Sequence, residues 1–371
     1  MDPQAQFCHN LHCPARGQFG LGQIRVHSRT EQRYRCTTCG QTFTATRDTP
    51  FYRLKKSVDL VTLVITLLCH GCPVHAVVAA FGLDERTVAD WRDRAGRHGQ
   101  RLHEQVVLQG QVDLGHVQAD ELYAKVVGRR LWMAMAMAVP SRLWLGGMVS
   151  ASRDMSLITA VVQMVRRAAK SMAFLVCVDG LASYVTAFTR VFRNPMRTGQ
   201  RGRPRLAAIP GLLLGQVIKH HAGRRLVSVT RRLVLGTAQA VAVVLATTGT
   251  GTGINTSYIE RLNATFRAAV CPLVRRSRAL VRGSGVLTGW MYLVGCASNF
   301  CWEHDSLRIA AVPGDRLKWQ VRTPAMAAGL TDHCWTMREL LSYPIRLPPW
   351  VAPKRRGRPP KRIQAPVAVP A

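Results

Sequence analysis

Phe174-Leu-Val-Cys-Val-Asp179-Gly180 decides how this chain is read: an apolar run that stops on a carboxylate and then on glycine. The short apolar stretch predicts a buried strand, and Gly180 permits a sharp turn directly after the acid. His116-Val-Gln-Ala-Asp120 repeats the plan, an apolar segment ending on Asp120. Carboxylates are scarce downstream: between Leu122 and Trp302 there are 25 lysines and arginines against Asp154, Asp179 and Glu260 alone. An acid kept at a strand end in so basic a region points to chemistry. Few carboxylates in a field that attracts polyanions suit divalent metal held against a phosphodiester backbone.

Glu260 completes the candidate set. It lies in Ser257-Tyr-Ile-Glu260-Arg-Leu-Asn263-Ala-Thr-Phe-Arg267, where Glu260, Asn263 and Arg267 share one helix face. With the first and fourth strands as sheet neighbours, a helix beneath them can bring Glu260 beside Asp120 and Asp179. Asn263 and Arg267 then contact phosphate or order the carboxylate. A plainer reading exists, because Ser257-x-x-Glu260 also matches a capping box. Glu121 rivals Asp120: strand alternation turns the two to opposite faces, so only one is expected in a given site. Asp154 reads as a helix cap.

The 371 residues are enough for two or three domains with cores of their own. A formal charge of +31 is of no use to an enzyme of small metabolites, and leaves nucleic acid or an anionic membrane surface as partner. No apolar run reaches about 18 residues, and the most apolar stretch, Leu131–Val149, is broken by Pro140 and Arg142. With no export signal at the N-terminus, the expected location is the cytoplasm, in association with the nucleoid. The 11 cysteines are therefore better ligands than disulfide partners.

Along the chain, 1–50 is loop-rich and 51–112 is helical, with Asp59 as cap for Leu60–Leu68 and further helices near 74–81 and 85–96. Residues 113–305 alternate strands (117–125, 130–139, 142–150, 173–179) with helices near 154–170, 181–192, 257–269 and 284–302. An insertion over about 194–250 carries a basic loop at 194–215 and a hairpin of 216–222 with 226–234. Residues 306–371 end in a basic, proline-rich tail after Pro348 that is expected to be disordered.

Cys8-x4-Cys13 and Cys36-x2-Cys39-Gly40 have the spacing of a tetrahedral Zn²⁺ cage, with His9 and His12 as possible substitutes for one thiolate. Cys69-x2-Cys72 lacks a second pair and reads as buried apolar residues. Pro73–Ala95 has helix-turn-helix form: Val74, Val77, Val78 and Phe81 line a face, Gly82 turns, and Asp84 caps a helix whose Val88 and Trp91 face inward. Arg86, Thr87, Asp90 and Arg94 are left for a DNA groove, although an ordinary helical hairpin has the same outline. Arg356-Gly-Arg358-Pro is an AT-hook core for a narrow minor groove, or else part of a solvated basic tail. Arg201-Gly-Arg-Pro-Arg205 repeats it as a phosphate-contacting loop.

Together these residues resemble bacterial insertion-sequence transposases of the DDE class, in the group with an N-terminal zinc ribbon and helix-turn-helix. The pieces that carry the likeness are Tyr34-Arg-Cys-x-x-Cys-Gly-x-Thr-Phe43, Val117-Gln-Ala-Asp-Glu-Leu, Cys177-Val-Asp-Gly and Ile259-Glu-Arg-Leu-Asn-Ala-Thr-Phe-Arg267. The resemblance covers about 8–305. It implies a multidomain protein: zinc ribbon, small all-α helix-turn-helix, then an α/β RNase H-like catalytic domain with an inserted β-hairpin. It also implies Asp120, Asp179 and Glu260 as ligands of Mg²⁺ or Mn²⁺, with DNA strand cleavage and transfer as the reaction. Double-stranded DNA, both element ends and target, is the expected partner, bound by a homodimer or larger assembly. The interval from Asp179 to Glu260 exceeds that of compact members. A non-catalytic DNA-binding regulator and a structure-specific nuclease are the alternatives.

Overall fold

The computed structural model describes residues 1–126, 129–196, 199, 203–223, 225–274, 280–311 and 318–352. The chain forms two compact units, Met1–Arg47 with Arg346–Ala371, and Asp48–Ile345. In the first, β1 (Ile24–Ser28), β2 (Arg33–Cys36) and β3 (Thr42–Thr44) make an antiparallel sheet. Its small core consists of Cys8, Cys13, Ala15, Ile24, Tyr34, Cys36 and Phe43. The hook-like segment with Arg356 and Arg358 lies outside the described residues, as do Arg201 and Gly202.

The second unit opens with α1 (Val58–Cys69), α2 (Val74–Phe81) and α3 (Glu85–Val106). Ser57, not Asp59, caps α1: its hydroxyl accepts from the Leu60 amide, and Asp59 in the first turn pairs instead with Arg338. Gly82 ends α2 at φ +58°, a left-handed value that suits glycine, and the Asp84 carboxylate accepts the Arg86 and Thr87 amides to start α3. Val77, Val88 and Trp91 are buried between these helices as expected, and so is Leu83, while Val74, Val78 and Phe81 are half-buried. The third helix runs ten residues past the predicted end. Gly96, the predicted end, and Gly99 beyond it are crossing points instead. A methyl at Gly96 would stand 2.6 Å from the Gly289 backbone.

The central sheet has six strands in the order β11-β10-β7-β4-β5-β6. Strands β4 (His116–Val126), β5 (Arg129–Ala138) and β6 (Leu143–Ser150) form an antiparallel meander. After α4 (Met155–Ala168), which Asp154 caps through the Leu157 amide, β7 (Leu175–Asp179) lies parallel to β4. First and fourth strands are thus neighbours. Helix α5 (Ala182–Val191) follows, then a short pair, β8 (Arg193–Met196) with β9 (Arg205–Ala208), inside the stretch expected to be loop.

The predicted hairpin exists as β10 (Leu213–Ala222) and β11 (Arg225–Leu235), but it is not an appendage. Leu213–Val217 pair in parallel with Leu175–Asp179, so β10 belongs to the sheet itself. Its buried Leu213 and Leu214 read as loop in sequence because they adjoin a Pro- and Gly-rich run, while Val217 falls in the predicted strand. The unpredicted α6 (Ala238–Thr248), capped by Thr237, buries Val241 and Leu245 against Leu175, Cys177 and Leu213.

Helices α7 (Ser257–Ala269) and α8 (Ser284–Phe300) complete the core, and β12 (Ile309–Ala310), β13 (Trp319–Gln320), α9 (Pro324–Ala327) and α10 (Met337–Ser342) trail it. The sheet is sandwiched: α4 contacts β5 and β6, while α6 and α7 contact β4 and α8 contacts β6. The Asn299 side chain locks α8 to β6 by accepting from the Trp144 amide and donating to its carbonyl, both at 2.8 Å. One continuous hydrophobic core joins α1–α3 to the sheet. Among the described residues no helix is long and apolar enough to cross a membrane.

Candidate metal centres

The parallel pairing of β4 with β7 brings Asp120 and Asp179 to one edge. The last paired residues are Ala119 and Val178, so both acids stand just beyond the ladder. Strand alternation holds: Asp120 faces α7, accepting 2.7 Å from Asn263 Nδ2, and Glu121 faces α5, accepting 3.0 Å from the Tyr184 hydroxyl. The expectation that only one of them joins the site does not hold. Carboxylate oxygens of Asp120, Glu121 and Asp179 lie within 4.8 Å of one another. With no β7 residue beyond Asp179 to separate the faces, the two side chains meet around the strand end.

Three carboxylates this close repel one another. Burial first, then the charge of Glu121 and more weakly those of Asp179 and Glu260, push the Asp120 carboxyl up to about 7, against the pull of the Glu121 amide. Burial and Asp179 also raise Glu121, countered by Arg153 and Tyr184. Burial, and then the Glu121 charge, hold the Tyr184 hydroxyl well above its ordinary value. A hard cation relieves such an arrangement, and the oxygen-only donor set suits a divalent ion.

Glu260 lines the same depression of about 430 Å³ as Asp120, Asp179, Arg153 and Lys219. It is not one of the three clustered acids. Its carboxylate accepts from Lys219 Nζ and, at 2.9 Å, from the Thr256 hydroxyl. Thr256, not Ser257, is the N-cap of α7, and it makes no side-chain cap, so the capping-box reading of Glu260 fails. Arg153 binds Glu121 and stands 3.8 Å from Asp179 Oδ2, so both arms of the acid cluster carry a basic side chain. Gln118 fixes α7 to β4, accepting from the Tyr258 and Ile259 amides at 3.0 Å and donating to the Asn255 carbonyl.

Asn263 therefore orders a carboxylate, and Arg267 lines a neighbouring groove with Lys125. Arg86 is exposed at the start of α3 and Thr87 is half-buried beside it. Arg94 is tied to Asp90 at 2.7 Å and to the Tyr52 carbonyl at 2.9 Å. Sequence reasoning missed Arg153, Lys219 and Tyr184 as partners of the acids, and ranked Glu121 second. The available signal was adjacency: Glu121 directly follows Asp120, and Arg153 precedes a helix cap.

The second centre is the Cys8, Cys13, Cys36 and Cys39 quartet, whose sulfurs lie within 4.8 Å of one another. The Cys8–Cys39 and Cys13–Cys36 separations are 3.7 and 3.9 Å. A tetrahedron with Zn–S bonds near 2.3 Å has edges of about 3.8 Å, so the quartet could hold zinc without rearrangement. Gly40, at φ +73°, closes the knuckle by donating its amide to the Cys36 carbonyl, and the Asn10 amide points at Cys8 Sγ. His9 packs between Phe7 and Phe43 instead of joining the quartet, and His12 is exposed. Cys69 is buried in the helical core, and burial pushes its thiol far up, as suits an apolar residue. No protein-family model matches the chain, and no curated protein sequence is significantly similar to it.

Proposed function

We propose that this chain is a DNA transposase of the DDE class. The observation that carries the reading is the gathering of Asp120, Glu121 and Asp179 within 4.8 Å, with Glu260 lining the same depression as the two aspartates, in a chain with charge +31. We read β4–β7 and β10 as an RNase H-like sheet, three antiparallel strands followed by two parallel ones. The cysteine quartet and the α2–α3 turn serve, in this reading, to bind the element ends as double-stranded DNA, and Arg86 and Thr87 meet the groove.

Mg²⁺ or Mn²⁺ bound by Asp120, Asp179 and Glu121 or Glu260 would activate a water or 3′-hydroxyl and neutralise the leaving oxygen. The protein's own part is positioning. Asn263 donates to Asp120 and aims it, Tyr184 and Arg153 hold Glu121, and Lys219 keeps Glu260 beside the cluster until a phosphate or cation competes for one of the pair. Cleaving and joining two ends requires two active sites, so the working form is a homodimer or larger assembly on DNA.

Asp179→Asn is expected to abolish strand cleavage and strand transfer while leaving end binding intact. Full transfer activity in that variant rejects the assignment. Glu121→Gln and Glu260→Gln, assayed in parallel, identify the third acid. Joining of a 3′ end into target DNA separates a transposase from a nuclease, which only cuts. DNA binding with no metal-dependent nicking would favour the non-catalytic regulator.

A further inference from the structure

On the Arg267 side of the acids a groove of about 500 Å³ is lined by Tyr123, Lys125, Trp132, Arg153 and Arg267 together with the acids themselves. It exists because β4 and β5 continue past the end of β7. Tyr123 and Trp132 are direct cross-strand partners there, with ring centroids 5.6 Å apart and planes tilted by 60°. Tyr123 is 40% exposed and Trp132 half-buried. Tyr123 is two residues beyond Glu121 on the same strand face, about 7 Å along the strand, a distance one nucleotide spans. Each ring also carries an arginine: Arg130 at 4.8 Å from the Tyr123 centroid and Arg153 at 5.2 Å from that of Trp132.

A cross-strand aromatic pair also stiffens a hairpin. Stiffening alone requires neither a basic rim nor a partly exposed, arginine-covered ring beside an acid cluster. Unpaired nucleobases, in contrast, seek this combination, because every base has a π-face and every linker a phosphate.

We propose that Tyr123 and Trp132 form a stacking platform for an unpaired nucleobase of the strand whose phosphate meets the acids; this rests on the reading of the acids given above. The base takes the ring face that a guanidinium now covers, and the guanidinium moves to the neighbouring phosphate. Stacking of this kind tolerates sequence, so the platform orders a frayed or displaced strand at the cut without selecting its bases.

The test is anisotropy with a fluorescein-labelled 12-mer oligothymidine and an abasic strand of equal length, using the full chain in Ca²⁺ buffer. Tyr123→Ala and Trp132→Ala are each expected to weaken oligothymidine binding by roughly 5- to 150-fold. Tyr123→Phe and Trp132→Phe should stay within about twofold of the parent, and the abasic strand should bind all five proteins alike. Tyr123→Ala removes an exposed ring, so it keeps the test intact if Trp132→Ala misfolds. Unchanged oligothymidine binding in Tyr123→Ala overturns the platform, as does an equal loss on the abasic strand. Because binding alone is read, failure here is distinct from failure of the Asp179→Asn experiment.

Discussion

Asn263→Ala probes how the acid site is held. Asn263 is 1% exposed, and its Nδ2 donates to Asp120 Oδ2 at 2.7 Å. Burial and the charge of three neighbouring acids push the Asp120 carboxyl up to about 7. A hydrogen bond to a charged partner contributes about 1.5–3 kcal/mol. Losing it disfavours the ionised carboxylate by that amount, and metal binds the ionised form. At 1.4 kcal/mol per decade, the midpoint for Mg²⁺ or Mn²⁺ should rise about 10- to 150-fold. Global stability should move little, because the substitution also removes the Asn263 Oδ1, which has no partner of its own. The assay is metal titration, by calorimetry and by the metal dependence of strand cleavage, with urea unfolding as control. A metal midpoint within twofold of the parent refutes the claim that Asn263 tunes Asp120.

Two further outcomes follow from the geometry. Cys36→Ser should abolish a stoichiometric zinc and unfold the Met1–Arg47 sheet, whose core is too small to stand without a metal contribution of order 10 kcal/mol. Metal analysis and limited proteolysis check this, and a protease-resistant N-terminal unit in a zinc-free variant counts against it. Burial lowers His98 and His116 to about 4 and His103 to about 3, so the native state excludes a proton that the unfolded chain accepts. Stability should therefore be full above pH about 6.5 and fall as pH drops toward 4, by up to about 3 kcal/mol per histidine. His103→Leu should flatten that slope in urea unfolding at pH 5 and 7, and an unchanged slope contradicts the assignment.

The strands of the meander and β7 were legible because apolar runs bounded by Pro140, Ser141 and Gly180 leave little choice. The cysteine quartet was legible from spacing alone. Other features depended on contacts that no local pattern encodes. Gly96 looks like a helix end until Gly289 is seen pressed against it. Leu213–Gly215 look like loop until β7 supplies a parallel partner, and with that pairing the supposed insertion becomes sheet. Helix α6 is apolar without a clear stripe, so its Thr237 cap was its only signal. Alternation correctly placed Asp120 and Glu121 on opposite faces, but it could not reveal that the ladder stops one residue earlier and lets them meet.

The close contact of Gly96 with Gly289 makes α3 a measuring rod. Its 22 residues span about 33 Å, and the Gly96 contact lies about 17 Å from a tip proposed to grip DNA. On the proposed reading, the number of base pairs between the gripped sequence and the severed bond would then be a dimension of the protein. One residue added within α3 would advance the tip by 1.5 Å and rotate it by about 100°, and a cut of the kind proposed would lose its register with the sequence that specifies it.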